Sequence, residues 1–147
     1  MQRFHFKLQK LLDYRKIREE QAEAEFAKAT RVFLLEKDRL KQLETTLVET
    51  FDLLKAEQGK PSSLLMLKMF QDYIDRTREG IRLQAVKVAA AADRRQTCLR
   101  LFEEATRKRK VVDNLRDKKL EQYQAEVLQE EQAFLDDLAG QRYIRNS

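Results

Sequence analysis

Few residues of this chain have side chains suited to catalysis or metal binding. His5 is the only histidine and Cys98 the only cysteine among 147 residues. Zinc-type metal sites need several His or Cys ligands, and nucleophilic catalysis needs a nucleophile beside a base. No Gly-x-x-x-x-Gly-Lys spacing, which would bind a phosphate, occurs. We therefore expect no enzyme, no catalytic residue, no metal and no cofactor. His5 is interpreted as an ordinary terminal residue and Cys98 as a small packing residue.

The elements that carry these residues must be long, because the chain has few residues that break helices. It has three glycines and one proline, and the one convincing turn signal is Gly59-Lys60-Pro61-Ser62-Ser63. We predict an all-α fold in which two long helices form an antiparallel coiled-coil hairpin. The expected bounds are about 4–57 for the first helix, 58–63 for the turn and 64–140 for the second helix, all within one domain, 1–147. Ser62 or Ser63 is the expected N-cap.

Apolar residues recur along both predicted helices at the alternating three- and four-residue spacing of a coiled coil. In the first helix the interface positions are Phe26, Ala29, Phe33, Glu36, Leu40, Leu43, Leu47, Thr50 and Leu54. In the second they are Leu67, Phe70, Ile74, Thr77, Ile81, Gln84, Val88, Ala91, Arg95, Cys98, Phe102, Ala105, Arg109 and Val112. The next anchors are Tyr123, Val127, Phe134 and Leu138. The eleven-residue step from Val112 to Tyr123 predicts a stutter, which locally relaxes the supercoil.

Composition favours an elongated protein that works through partners. Charged residues make up 37% of the chain, against about 25% in typical soluble domains. At ~1.5 Å per residue the arms are roughly 80 and 110 Å long. The end of the second helix, about 121–147, is therefore expected to lack an intramolecular partner, and we call it the overhang. The lone cysteine, and the lack of any apolar run near the ~20 residues of a membrane span, favour a cytoplasmic protein without direct membrane insertion. We expect a monomer on its own.

Charge is concentrated at the open end of the predicted hairpin. Residues 3–18 hold six basic side chains and one acidic one, and residues 107–119 hold seven basic and two acidic ones. These two segments, which we call the basic collar, carry +10 together, whereas the whole chain carries +5. The overhang from Glu121 to Gln141 has six acidic residues and no Lys or Arg.

The collar residues Arg107, Lys108, Arg109 and Lys110 leave three readings open. They form an electrostatic surface that docks a protein, a merely solvated face, or a nucleic-acid site. Acidic residues follow them at once, and no aromatic residues are interleaved as stacking platforms. We therefore favour protein docking and expect no nucleic acid. The turn end is less charged and offers apolar candidates for contact: Leu64, Leu65, Met66, Met69 and Tyr73.

Three segments of the chain resemble the flagellar export protein FliJ family. They are Phe6-Lys7-Leu8-Gln9-Lys10-Leu11-Leu12-Asp13-Tyr14-Arg15, Phe70-Gln71-Asp72-Tyr73-Ile74, and the acidic close Glu130-Glu131-Gln132-Ala133-Phe134-Leu135-Asp136-Asp137-Leu138-Ala139-Gly140-Gln141-Arg142-Tyr143. The resemblance implies a two-helix coiled coil similar to the central stalk of rotary ATPases. It implies three kinds of partner: the hexameric export ATPase FliI, the membrane export gate FlhA, and export chaperones. The expected location is the cytoplasm, peripheral to the export apparatus at the inner membrane.

The same resemblance implies site residues. Contacts to the ATPase ring are expected from Phe6, Leu8, Leu11, Leu12, Arg15, Gln132, Leu135, Asp136 and Arg142, and we add the four collar residues Arg107, Lys108, Arg109 and Lys110. The positions that match the family's gate-binding face are Arg39, Leu43, Thr46, Thr50, Tyr73, Thr77, Gly80 and Gln84. Leu43 and several of the polar positions also fall in the predicted helix–helix interface, whereas Tyr73 does not.

Two other functions remain open at the level of sequence. One is the related stalk protein of virulence-type secretion systems, which would share the hairpin and the mechanism. The other is a generic structural spacer or adaptor coiled coil without an ATPase partner. Stimulation of a hexameric ATPase separates the spacer from the two stalk proteins.

Overall fold

The structure, a computed structural model, describes residues 3–58, 60 and 64–146 and contains two helices, α1 (Gln9–Glu57) and α2 (Leu64–Asn146). No strand occurs among the described residues. The helices pack against each other as a hairpin, which confirms the predicted fold class. The predicted turn residues Gly59 and Pro61 and the predicted N-caps Ser62 and Ser63 lie outside the described residues. The chain divides into a terminal unit, Met1–Glu20 with Glu103–Ser147, and a turn unit, Gln21–Phe102.

The turn unit is held together by the predicted interface positions. Those of α1, from Phe26 to Leu54, are all buried or partly buried. Those of α2 within this unit are buried or partly buried as well, except Leu67, which is 39% exposed. Leu67 lies in the first turn of α2. The three- and four-residue spacing therefore identified the packing face of both helices.

Polar side chains in the turn-unit interface are hydrogen-bonded. Gln84 Nε2 donates to the Glu36 backbone carbonyl at 2.9 Å and also to the Glu36 carboxylate. Arg95 Nε donates to Thr30 Oγ1 at 3.1 Å, and its guanidinium lies 5.1 Å from the centre of the Phe26 ring. No buried side-chain nitrogen or oxygen in the described part of the chain lacks a hydrogen-bond partner. Polar pairs of this kind fix the register of a coiled coil, because any shift would leave them buried and unpaired.

The terminal unit has its own small core of Phe6, Leu12 and Val112, against which Phe4 and Leu11 pack. We had predicted that the first helix begins near Phe4. In the structure it begins at Gln9. Residues two apart in a helix point to different faces, so a helical start could not direct Phe4 and Phe6 into one core. In the irregular segment Phe6 is buried, and the Phe4 ring packs at 5.6 Å from that of Tyr123.

The stutter after Val112 is confirmed by the burial pattern of α2. The next partly buried positions on the packing side are Arg116, Leu120, Tyr123 and Val127. Arg116 follows Val112 by four residues, and Leu120 follows Arg116 by four more. Two successive four-residue steps, in place of alternating steps of three and four, define a stutter. α2 then continues to Asn146, beyond the predicted end near residue 140.

Gly80 offers a test of the turn-unit packing. A Cβ added at Gly80 would lie 3.9 Å from Leu43 Cδ1, an ordinary van der Waals contact. We expect Gly80→Ala to raise the free energy of unfolding by about 1 kcal/mol, since alanine is the better helix former, and to raise the melting temperature by about 2–4 °C. Thermal denaturation followed by circular dichroism measures this.

Gly140→Ala serves as the comparison, because nothing lies within 4 Å of a Cβ added there. This substitution raises helix propensity in an exposed part of α2. We expect it to raise the melting temperature of the hairpin less than Gly80→Ala does. A loss of stability in Gly80→Ala would show that the helices approach more closely at this point than the structure indicates.

Candidate partner-binding surfaces

The overhang has the features of an amphipathic helix whose distal part is exposed. All described residues from Leu128 to Asn146 are exposed, although they are helical. Val127, Phe134 and Leu138 share one face by their spacing of seven and four, and Leu128 and Leu135 lie beside them. Phe134 is 64% exposed. The predicted ring residues Gln132, Leu135, Asp136 and Arg142 all lie here, exposed, and Gln132 Nε2 donates to Asp136 Oδ1 at 3.1 Å.

The two segments of the basic collar lie side by side within the terminal unit. Arg15 Nη1 donates to the Lys108 backbone carbonyl at 2.8 Å, and Arg116 Nε donates to Gln9 Oε1 at 3.2 Å. Arg107, Lys108 and Lys110 are exposed, and Lys108 Nζ lies 3.3 Å from Glu104. The hairpin thus assembles one basic surface from parts of the sequence about ninety residues apart.

Arg109 differs from the other three collar residues because its charge is used inside the unit. Its Nε lies 2.9 Å from both Glu19 carboxylate oxygens, and its Nη1 lies 3.1 Å from Asp113. Burial opposes ionisation of Glu19, but the hydrogen bonds from Arg109 and Thr106 and the charges of Arg109 and Lys110 outweigh it, so the pKa of Glu19 is lowered. The hydrogen bond to Glu19 in turn raises the pKa of Arg109. We therefore regard Arg109 as a link between α1 and α2 rather than as a free cation for a partner.

The predicted ring contacts at the N-terminus divide into core and surface residues. Phe6 and Leu12 are buried in the core of the terminal unit, and Leu12 is 0% exposed. While the helices stay packed, neither side chain can reach a partner, so we assign them to the core. Leu8 is exposed, and Leu11 and Arg15 are partly buried. These three remain candidates for contact.

The predicted gate-binding positions divide in the same way. Thr50, Thr77 and Gln84 are buried in the turn-unit interface, and each makes a hydrogen bond there. Leu43, Thr46 and Gly80 are partly buried, and Arg39 is exposed beside Glu36 at 3.2 Å. Tyr73 is 44% exposed. Of the residues expected to bind the gate, Tyr73 is thus the aromatic side chain that a partner can reach.

Sequence analysis had named Met66, Met69 and Tyr73 as contact candidates at the turn end, and the structure brings these three residues together in one groove. A groove of about 450 Å³ runs along α2 and is lined by Met66, Met69, Phe70, Asp72, Tyr73 and Arg76. Met66, Met69, Tyr73 and Arg76 are separated by three, four and three residues. This helical spacing is the sequence signal for a second face of α2, apart from the helix–helix interface. Methionine side chains adapt their shape to a partner, so the groove suits a protein segment.

Metal binding and membrane insertion have no support among the described residues. They contain no group of three or more His, Cys, Asp or Glu side chains placed to hold a metal ion. Neither do they contain a helix that is long and apolar enough to cross a membrane.

Comparison with known proteins decides the family. The sequence profile described as "Flagellar FliJ protein" matches residues 4–147, nearly the whole chain. The chain belongs to the FliJ family. It is therefore a protein related to flagellar export. No curated protein and no solved structure matched the chain in the corresponding searches.

The Glu19–Arg109 pair predicts how the stability of this FliJ-family hairpin depends on pH. Because the folded pKa of Glu19 is lowered, the stabilisation is fully present above the unfolded value of about 4.3 and is lost as pH falls through the folded value. We expect Glu19→Gln to lower the free energy of unfolding at pH 7 by about 1 kcal/mol, and we expect this difference from the unsubstituted protein to shrink as the pH falls below the unfolded value. Urea denaturation over this pH range measures both effects.

The neighbouring exposed carboxylate supplies the control. Glu20→Gln removes the same charge one residue away, and we expect little change at neutral pH. An equal deficit for Glu19→Gln at pH 7 and at pH 3 would contradict an ionic link and indicate a packing effect.

Proposed function

We propose that this chain is the non-enzymatic central-stalk component of the flagellar type III protein export apparatus. In this proposal its terminal unit inserts into the hexameric ring of a FliI-like export ATPase and promotes the assembly and activity of the ring. Its turn unit binds an FlhA-like membrane export gate, so the protein couples the two. The family assignment over residues 4–147 carries the proposal.

The overhang supports the ring-binding part of the proposal. Its apolar face continues the interface face of α2 beyond the aromatic contact between Tyr123 and Phe4, which lies in the segment before α1. Burying a large apolar side chain yields about 1.5–3 kcal/mol. An exposed face of this kind therefore favours a partner that encloses the helix, and the inside of a ring can do so.

The basic collar supports an electrostatic role next to the overhang. Arg107, Lys108 and Lys110 are exposed and lie on α2 just before the overhang. Exposed charges of one sign accelerate association with a complementary surface more than they increase its affinity. We propose that these three residues steer the terminal unit towards an acidic ring entrance.

The methionine-rich groove supports a separate contact for the turn unit. Tyr73 lies in this groove with Met66 and Met69, and the family resemblance places the gate-binding face at the same part of α2. We propose that an apolar segment of the gate packs against these side chains. Binding of export chaperones and a peripheral position at the inner membrane complete the proposal by analogy with the family.

Removal of the overhang tests the ring-binding role. Deleting residues 126–147 leaves the core of the terminal unit intact, since Phe6, Leu12 and Val112 all lie outside the deletion. We expect little change in the melting temperature and a loss of the stimulation of the cognate export ATPase, measured as ATP turnover.

Point variants refine this test within the full chain. Leu135→Ser combined with Leu138→Ser changes the apolar face and should reduce the stimulation strongly. Gln129→Ser combined with Ala133→Ser changes the opposite face and should not. If both pairs act alike, or if the truncated protein stimulates normally, the overhang does not act as the ring-binding element.

The groove is tested by a binding measurement with the gate. We expect Tyr73→Ala combined with Met69→Ala to weaken binding to the cognate cytoplasmic gate domain by roughly tenfold or more, because two large contacts are lost. Leu83→Ala, an exposed leucine of α2 outside this groove, is the matched control. Calorimetric titration would overturn the assignment if it gave equal affinities for all three proteins.

A generic spacer and a virulence-type stalk are the competing functions. A spacer would leave ATP turnover of the export ATPase unchanged. A virulence-type stalk would stimulate the ATPase of its own secretion system in preference to a flagellar one.

A further inference from the structure

One side of α2 in the terminal unit presents apolar and basic side chains together. Val111 is 66% exposed, and Leu115, four residues further on, is exposed as well. Lys108 precedes Val111 by three residues, Lys118 follows Leu115 by three, and both lysines are exposed. Residues spaced by three or four share one side of a helix, so these four form a continuous strip. We call this strip, with its exposed neighbours Arg107 and Lys119, the collar face.

The acidic residues of the same segment lie away from the collar face. Asp113 is paired with Arg109, whose Nη1 lies 3.1 Å from its carboxylate. Asp117 follows Lys108 by nine residues, which at about 3.6 residues per turn places it on the opposite side of the helix. From residue 107 to residue 119 the collar face therefore carries four basic side chains and no acidic one.

Most of this charge is available to an external partner. Among the described residues an ion pair engages Lys108, whose Nζ lies 3.3 Å from Glu104, but none engages Arg107, Lys118 or Lys119. The Lys108–Glu104 pair is exposed, so water and salt screen it. α1 adds a further cation, because Arg15 Nη1 donates to the Lys108 carbonyl at 2.8 Å. The collar face thus suits an anionic surface.

An anionic lipid bilayer fits both the charges and the apolar residues of this face. A helix that surrounds an apolar strip with Lys and Arg lies in the membrane interface, with its apolar side chains among the headgroups. Clusters of about four to eight Lys or Arg on such a helix bind acidic lipids. A nucleic acid fits less well, because no aromatic residue between 103 and 122 offers a ring on which a base could stack.

We propose that the collar face binds the surface of an anionic lipid bilayer. This part of α2 lies parallel to the surface, Val111 and Leu115 enter the boundary between headgroups and acyl chains, and the four basic side chains contact lipid phosphates. The contact is peripheral, in keeping with the lack of any membrane-spanning helix among the described residues. It requires neither an ATPase nor an export gate, so it goes beyond the proposed function.

Lipid binding has a consequence for the proposed function. Arg107 and Lys108 belong to the collar face and are also among the residues proposed to steer the terminal unit towards the ATPase ring. The same side chains cannot serve a bilayer and a ring entrance at once, so the two partners compete. The lipid contact is tested without any ATPase, and its failure is therefore distinguishable from a failure of the export role.

Cosedimentation of the full chain with vesicles tests the proposal. We expect binding to vesicles of phosphatidylglycerol and phosphatidylcholine, no binding to phosphatidylcholine alone, and weaker binding at higher salt. Lys108→Glu combined with Lys118→Glu should weaken binding roughly tenfold or more. Lys41→Glu combined with Lys87→Glu makes the same change in net charge at exposed positions of the turn unit, and it should weaken binding much less.

The apolar part of the contact has its own variant. Val111→Ser combined with Leu115→Ser keeps every charge of the collar face and should still weaken vesicle binding roughly tenfold. Both side chains are exposed, so the helix content measured by circular dichroism should stay the same.

Fluorescence shows which side of α2 meets the lipid. In a Cys98→Ala chain, an environment-sensitive dye attached to Val111→Cys should shift to shorter wavelength when anionic vesicles are added. The same dye attached to Lys110→Cys is the control. Lys110 follows Lys108 by two residues and so faces another side of the helix, and its dye should shift much less.

Four results would overturn the proposal. The first is equal binding to vesicles with and without phosphatidylglycerol. The second is an equal loss for the collar pair and the turn-unit pair of charge reversals. The third is the same dye shift at positions 110 and 111. The fourth is binding to a DNA duplex that is as tight as binding to anionic vesicles and that Val111→Ser with Leu115→Ser leaves unchanged, which would indicate a site for nucleic acid.

Discussion

The unequal length of the two helices is the constraint on which the rest of this molecule depends. α1 has 49 residues and α2 has 83. α2 is covered by α1 and by the short segment that precedes α1, so the apolar residues of α2 are buried only as far as this cover extends. The interface positions of α2 are covered as far as Val127, and the apolar face that follows them is not. The exposed overhang is a direct consequence, and it is the feature that most clearly points to a partner.

The interface itself is held in register by polar groups as much as by apolar ones. Gln84 with Glu36, Arg95 with Thr30 and Arg109 with Glu19 each join α1 to α2 by a side-chain hydrogen bond. A coiled coil with only apolar contacts can slide by a heptad at small cost, whereas a slide here would leave these groups unpaired. A defined register matters for the surface, because the basic collar exists only while the two basic segments remain opposite each other.

Burial between the helices separates core residues from contact residues in both units of the chain. Phe6 and Leu12 in the terminal unit, like Thr77 and Gln84 in the turn unit, lie between the helices and keep them together. Their neighbours Leu8 and Tyr73 point outwards. A motif of a two-helix protein therefore mixes residues that build the scaffold with residues that a partner can touch, and substitutions in the first group act on binding through stability.

The sequence alone determined the fold class, the packing face of each helix, the stutter after Val112 and the charge at the open end. These follow from local rules: few helix breakers, regular spacing of apolar residues, and the side-by-side placement that any hairpin gives to its ends. The irregular segment before Gln9, the internal use of Arg109 and the burial of Phe6 and Leu12 were decided by the tertiary structure. Each of these depends on which side chain of one helix meets which side chain of the other across about ninety residues of sequence, and helical periodicity does not specify that pairing.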